Sequence, residues 1–110
     1  MRRPVFFLGT AVRRLREIRS WTERRFGPEQ ADRYEALLRS RIEATADGRA
    51  HATPANVVTG QPGDADVSLV RAGEHFLVLR IRPERIELLD VLHSRSDLIA
   101  HLTTLPKDET

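Results

Sequence analysis

Apolar residues recur at helical spacing in the first half of the chain and in short strand-like runs in the second. Val5 to Leu8 is an apolar run closed by Gly9-Thr10, which predicts a short, fully buried strand. Thr10 is placed to cap a first helix running to about Phe26, because its hydroxyl can accept from an otherwise unbonded backbone N–H. On that helix Ala11, Leu15, Ile18, Thr22 and Phe26 share one face, and Trp21 lies beside it. Gly27-Pro28 breaks the pattern, since Gly suits a helix end and Pro the first position of the next helix. The second helix is predicted from Pro28 to Asp47, with the stripe Ala31, Tyr34, Leu38, Ile42 and Thr45, and Gly48 as its stop. Two such helices joined by a tight turn make an antiparallel hairpin with one apolar side. That side has to cover something, and a sheet is the expected partner.

Residues 48–66 read as a long loop carrying Gly48, Pro54, Gly60, Pro62 and Gly63, with Val57-Val58-Thr59 as a candidate extended piece. Three strands follow: Val67 to Ala72, His75 to Arg82 and Arg85 to His93, an antiparallel meander with very short turns. In the middle strand Leu77, Leu79 and Ile81 share one face and Phe76, Val78 and Arg80 the other, which predicts a central strand covered on both sides. The last strand, with Ile86, Leu88, Leu89, Val91 and Leu92, has the same character. Ser94 and Asp97 form a Ser-x-x-Asp pattern ahead of Leu98, Ile99 and Leu102, the apolar side of a short terminal helix. The predicted fold is α+β: an N-terminal strand, a helical hairpin on a mostly antiparallel sheet of about four strands, and a short C-terminal helix. One domain over residues 1–103 and a loose tail over 104–110 complete it.

Charge changes this picture in one respect. Residues 1–26 carry eight Arg against Glu17 and Glu23, a local +6, whereas the rest of the chain sums to −4. A region of this kind attracts polyanions or acidic partners, although a solvated helix face explains it as well. Cysteine is absent, which removes disulfides and thiolate metal sites and suits a reducing cytosol. The apolar run at the start is too short and too near Arg13 and Arg14 to span a membrane, so a cytoplasmic protein without membrane partners is expected. His51, His75 and His101 lack ligand spacing, and neither metal nor cofactor is expected.

Ala11-Val-Arg-Arg-Leu15-Arg-Glu-Ile18, then Phe26-Gly27, Gln30-Ala31 and Tyr34, then Ile86 to His93-Ser-Arg95-Ser-Asp97 follow one another in order. This set, over about residues 5 to 102, resembles the ParE/RelE toxins of type II toxin-antitoxin systems. Arg14 stands where the family's opening motif usually has an acidic residue. The resemblance implies a cognate antitoxin, ParD-like with a ribbon-helix-helix domain and a disordered tail, that wraps the toxin and occludes an apolar groove. It also implies one of two targets: DNA gyrase, inhibited by binding without cutting, or mRNA in the ribosome, cleaved by the RelE-type members. A third reading is a member with the fold and no toxic activity.

Attack by a ribose 2′-OH requires a base, an acid and cations to stabilise the phosphorane. The candidate set is Arg71, Arg80, His93 and Arg95, with Glu74 or Glu87 as bases; His93 alone among them ordinarily titrates near neutrality. The C-terminal third is poor in basic residues and has no tyrosine, which weighs against a nuclease. For binding, the candidates are Arg13, Arg14, Arg16, Trp21, Arg80, His93 and Arg95. Each has a plainer reading. His93 ends a strand and bonds Asp97 or Ser96; Arg95 and Asp97 form a surface ion pair and a cap; Trp21 packs half-buried. Arg80, in the most apolar strand, is costly to bury alone, so it pairs with an acid such as Asp90 or opens onto a groove.

Overall fold

The computed structural model describes residues 2–60 and 66–103; the expected tail and the middle of the expected loop, residues 61–65, lie outside them. The elements are β1 (Val5–Phe7), α1 (Gly9–Phe26), α2 (Pro28–Ala46), β2 (Thr53–Pro54), α3 (Ala55–Thr59), β3 (Val67–Ala72), β4 (His75–Ile81), β5 (Ile86–His93) and α4 (Leu98–Thr103). The strands form one sheet in the order β1-β5-β4-β3-β2, antiparallel except for the β1–β5 pair. This is the expected α+β architecture with a fifth, two-residue strand added at the β3 edge.

Both helices of the hairpin form where their stripes place them. Gly27 adopts φ 90°, a conformation that L side chains resist, and its N–H bonds Glu23 O at 2.9 Å while Pro28 opens α2. Ala11, Leu38, Ile42 and Ala46 join Val70, Ala72, Leu77, Leu79, Ile86, Leu88 and Val91 in one core between the hairpin and the sheet. Each large side chain buried there contributes roughly 1.5–3 kcal/mol. A second core lies on the opposite face, where Ala55, Val67, Leu69, Val78, Leu89 and Leu92 meet Leu98 and Leu102 of α4. The central strand is therefore covered on both sides, as its two apolar faces predict.

A register shift explains the irregular spacing of apolar residues in β5. Leu79 faces Leu88 and Val78 faces Asp90, so Leu89 is an extra residue in the ladder. Before the bulge Ile86 and Leu88 point to the hairpin; after it Val91 does, while Leu89 and Leu92 point to the other face. Strict alternation would have sent Val91 to the wrong side.

Four expectations are corrected. The first strand is not fully buried: β1 is an edge strand, and Phe6 and Phe7 are 54% and 46% exposed. An apolar run of this length fits a central and an edge strand equally. Thr10 does not cap α1; Leu8 does, through its backbone carbonyl to Val12 N–H, while its own N–H still bonds Leu88 O at 3.0 Å. Strand thus passes directly into helix with no residue free to act as a side-chain cap. Phe26 leaves the core stripe and is exposed at the helix end. Val57-Val58-Thr59 is helical rather than extended, because five residues are too few to show a period, and Gly60 closes the turn at φ 70°.

Candidate functional site

The hairpin does not cover its side of the sheet completely. Between α1, α2 and β1 an open groove of about 1010 Å³ remains. Val5, Phe7, Leu15, Ile18, Leu38 and Ile42 supply its apolar lining, and Arg2, Arg3, Arg16, Arg19 and Arg39 line it with Glu35 and Glu43. The lining follows from the sequence: the stripes of both helices turn toward the sheet, and β1 ends before it can fill the gap between them. Several rim arginines are held in place. Arg19 bonds Asp32 at 2.7 Å and Glu35 at 2.8 Å, which raises its pKa above the ordinary value, and Arg39 meets Glu35 at 3.2 Å. Arg3 donates to Arg82 O and Thr45 O, tying the segment ahead of β1 to the β4–β5 turn and to α2. Arg16 is exposed and makes no ion pair among the described residues.

The candidate binding residues of α1 fall into two groups. Arg14 is committed: its Nε lies 3.1 Å from Asp90 Oδ1, and its NH1 3.5 Å from Glu17. Asp90 is nearly buried at the β5 bulge, where its carboxylate also accepts the Val91 N–H at 2.7 Å. The hydrogen bond to Asp90 raises the Arg14 pKa above its ordinary value. Arg14 thus occupies the motif's unusual position with a reason visible in the fold: it neutralises the bulge carboxylate. Arg13 and Trp21 instead face solvent. The Trp21 ring meets Phe26 edge-on at 6.0 Å, and the Arg25 guanidinium lies 5.6 Å over it.

The basic residues proposed for chemistry do not gather in one place. Arg80 is buried near the far end of β4, opposite Glu87 and Val67, and the expected partner Asp90 is taken by Arg14. His93 lies at the other end, opposite His75. Five residues of strand separate His75 from Arg80, roughly 17 Å. Arg71 is near the His93 end but stacks over Phe76 at 5.3 Å and donates to Gly73 O. Glu87 is engaged by Arg85 at 3.1 Å, and Glu74 sits in the β3–β4 turn. His93 is exposed; its Nδ1 accepts the Arg95 N–H, and its carbonyl accepts the Ser96 hydroxyl. Asp97 caps α4 through Ala100 N–H at 3.1 Å, and no ion pair joins it to Arg95 among the described residues.

One cluster at this end was not anticipated. The Tyr34 hydroxyl accepts the Glu74 N–H at 3.0 Å and lies 2.5 Å from His75 Nδ1. The His75 and His93 rings meet edge to face, with centroids 5.1 Å apart. Burial, with the neighbouring His93 as a smaller cause, pushes the His75 pKa down to about 4, so its imidazole is neutral and Nδ1 free to accept at neutral pH. Burial likewise pushes Tyr34 above its ordinary value, and the Glu74 N–H opposes this. Tyr34 was legible as a stripe residue, but its partner depends on a strand register that residue types alone do not reveal. Among the described residues no group of three His, Cys, Asp or Glu could hold a metal ion, and no helix is long and apolar enough to cross a membrane.

Comparison with known proteins bears on this arrangement at two levels. A solved structure, the chromosomal ParDE TA system from P. aeruginosa, superposes with a TM-score of 0.61 at 13% sequence identity, covering 83% of this chain and 95% of that one. At that identity the likeness concerns the fold. No curated protein sequence matches. The family described as ParE toxin of type II toxin-antitoxin system, parDE, matches residues 5–98, and the chain belongs to that family.

Proposed function

We propose that this toxin acts by binding: a ParE-like inhibitor of a replication target such as DNA gyrase, silenced by a ParD-like antitoxin seated in the groove between the hairpin and β1. The supporting observation is the groove itself. It is apolar within and lined by five arginines against two glutamates, which suits an amphipathic acidic segment. Its structural relative comes from a ParDE system, which agrees with a cognate antitoxin for this chain. The separation of Arg80 from His93 favours binding over the alternative of ribosome-dependent mRNA cleavage, since cations must surround the phosphate that a base activates.

Two assays test this reading. The purified protein is mixed with gyrase and relaxed plasmid, and separately with programmed ribosomes. Loss of supercoiling with intact mRNA is the expected result. Ribosome-dependent cuts abolished by His93→Ala or Arg80→Ala would establish the nuclease instead, and induction without growth arrest would identify an inactive member. Phe7 is half-exposed on the groove wall, so Phe7→Glu places a charge there with little effect on the core. It is expected to weaken the antitoxin complex at least about tenfold by calorimetry, the effect of burying an unpaired charge.

A further inference from the structure

We infer that the tip of the helical hairpin, around Trp21, Phe26, Arg24 and Arg25, is a docking surface separate from the groove and shaped for an acidic patch on the protein that the toxin inhibits. This rests on the toxin reading above and adds where the target is held. Trp21 and Phe26 are 52% and 60% exposed, sit at the end of α1 away from the groove lining, and contact each other. Their exposure is not the chance of one stray side chain, because the two rings and the Arg25 guanidinium make one packed unit.

Charge defines the partner. Arg24 and Arg25 lie three and four residues beyond Trp21 and so share its side of the helix. Glu17 is engaged by Arg14 at 3.5 Å, and Glu23 reaches Arg19 at 3.5 Å, a guanidinium it shares with Asp32 and Glu35. Arg13, Arg24 and Arg25 make no ion pair among the described residues, and Glu29 in the first turn of α2 offsets one of these charges. A positive rim around an exposed Trp–Phe pair is complementary to an acidic surface with an apolar centre, and Trp and Arg are the residues that most often dominate protein interfaces. Nucleic acid fits less well. Base stacking uses free ring faces, whereas Arg25 already lies over one face of Trp21 and Phe26 meets the ring in a T-shaped contact.

The test uses the full chain and three surface variants, Trp21→Ala, Phe26→Ala and the double substitution R24E/R25E. Each is induced with and without a cognate ParD-like antitoxin, and each purified variant is checked for an unchanged melting curve. The inducer level for half-maximal growth arrest is expected to rise at least tenfold in Trp21→Ala and R24E/R25E, while antitoxin affinity stays within twofold. Unchanged arrest by all three variants overturns the tip surface and leaves the toxin reading standing. A parallel loss of antitoxin binding overturns its separateness from the groove. Failure of the unaltered chain to arrest growth removes the toxin reading and the tip proposal together. Submicromolar binding of a labelled duplex or single-stranded oligonucleotide, lost in R24E/R25E, assigns the surface to nucleic acid and overturns the inference.

Discussion

At the scale of single residues, the β3–β4 turn shows how little freedom the site end of the sheet has. Gly73 adopts φ 59°, and a Cβ there would lie 2.8 Å from Tyr34 Cε1 and 2.9 Å from Leu37 Cδ2. Gly73→Ala combines a left-handed backbone with a clash against α2, and is expected to cost about 2–3 kcal/mol in urea unfolding. The same crowding keeps His75 neutral. With its folded pKa near 4 and an unfolded value near 6.5, the unfolded chain binds more protons between these limits. Stability from this group is complete above pH 6.5 and falls as the pH drops toward 4. Because the ring is only half-buried, the loss is about 1–2 kcal/mol rather than the full value of the shift. Denaturant midpoints at pH 7.5 and 4.5 measure it. His75→Gln should flatten that dependence; an equally steep curve in this variant would assign it to another group.

Whole elements show which features were legible in the residues and which were not. The α1 and α2 stripes gave the hairpin because eighteen and nineteen residues carry the helical period several times over. The five residues of α3 and two of β2 carry none, so the residues alone predict a loop there with Val57-Val58-Thr59 as an extended piece. The groove was foreshadowed as an apolar hairpin side, but the opening left by the short β1 depends on how far the chain pairs with β5. Arg14 was visible as a departure from the family motif, yet its meaning depends on the bulge that turns Asp90 toward it. That link can be measured. Arg14→Met leaves a nearly buried Asp90 carboxylate with the Val91 N–H alone, and should cost about 2 kcal/mol. In a double-mutant cycle with Asp90→Asn the coupling should be about 1–2 kcal/mol, reduced because Arg14 is one-third exposed. Independent, additive effects would show that the pair does not hold α1 to β5.

Across the molecule, the two faces of the sheet are covered by elements of very different strength. One side carries the long hairpin; the other carries α3 and α4, of five and six residues, each too short to stand as a helix on its own. They are held chiefly by Ala55, Leu98 and Leu102 against the second core. In between, Leu77, Val78 and Leu79 of β4 are wholly buried with a strand on each side. Local opening should therefore begin on the α3/α4 face and leave the β4–β5 ladder intact. In hydrogen exchange at neutral pH, the amides of residues 77–79 and 88–91 are expected to exchange only with global unfolding. Those of α3 and α4 should exchange at least about 1000-fold faster, a difference of roughly 4 kcal/mol in opening free energy. Because Val78, Leu89 and Leu92 lie beneath these helices, such opening would bare apolar surface without disturbing the hairpin or its groove. Equal protection of α4 and β4 would show instead that both faces unfold as one unit, and that the short helices are as firmly fixed as the strands they cover.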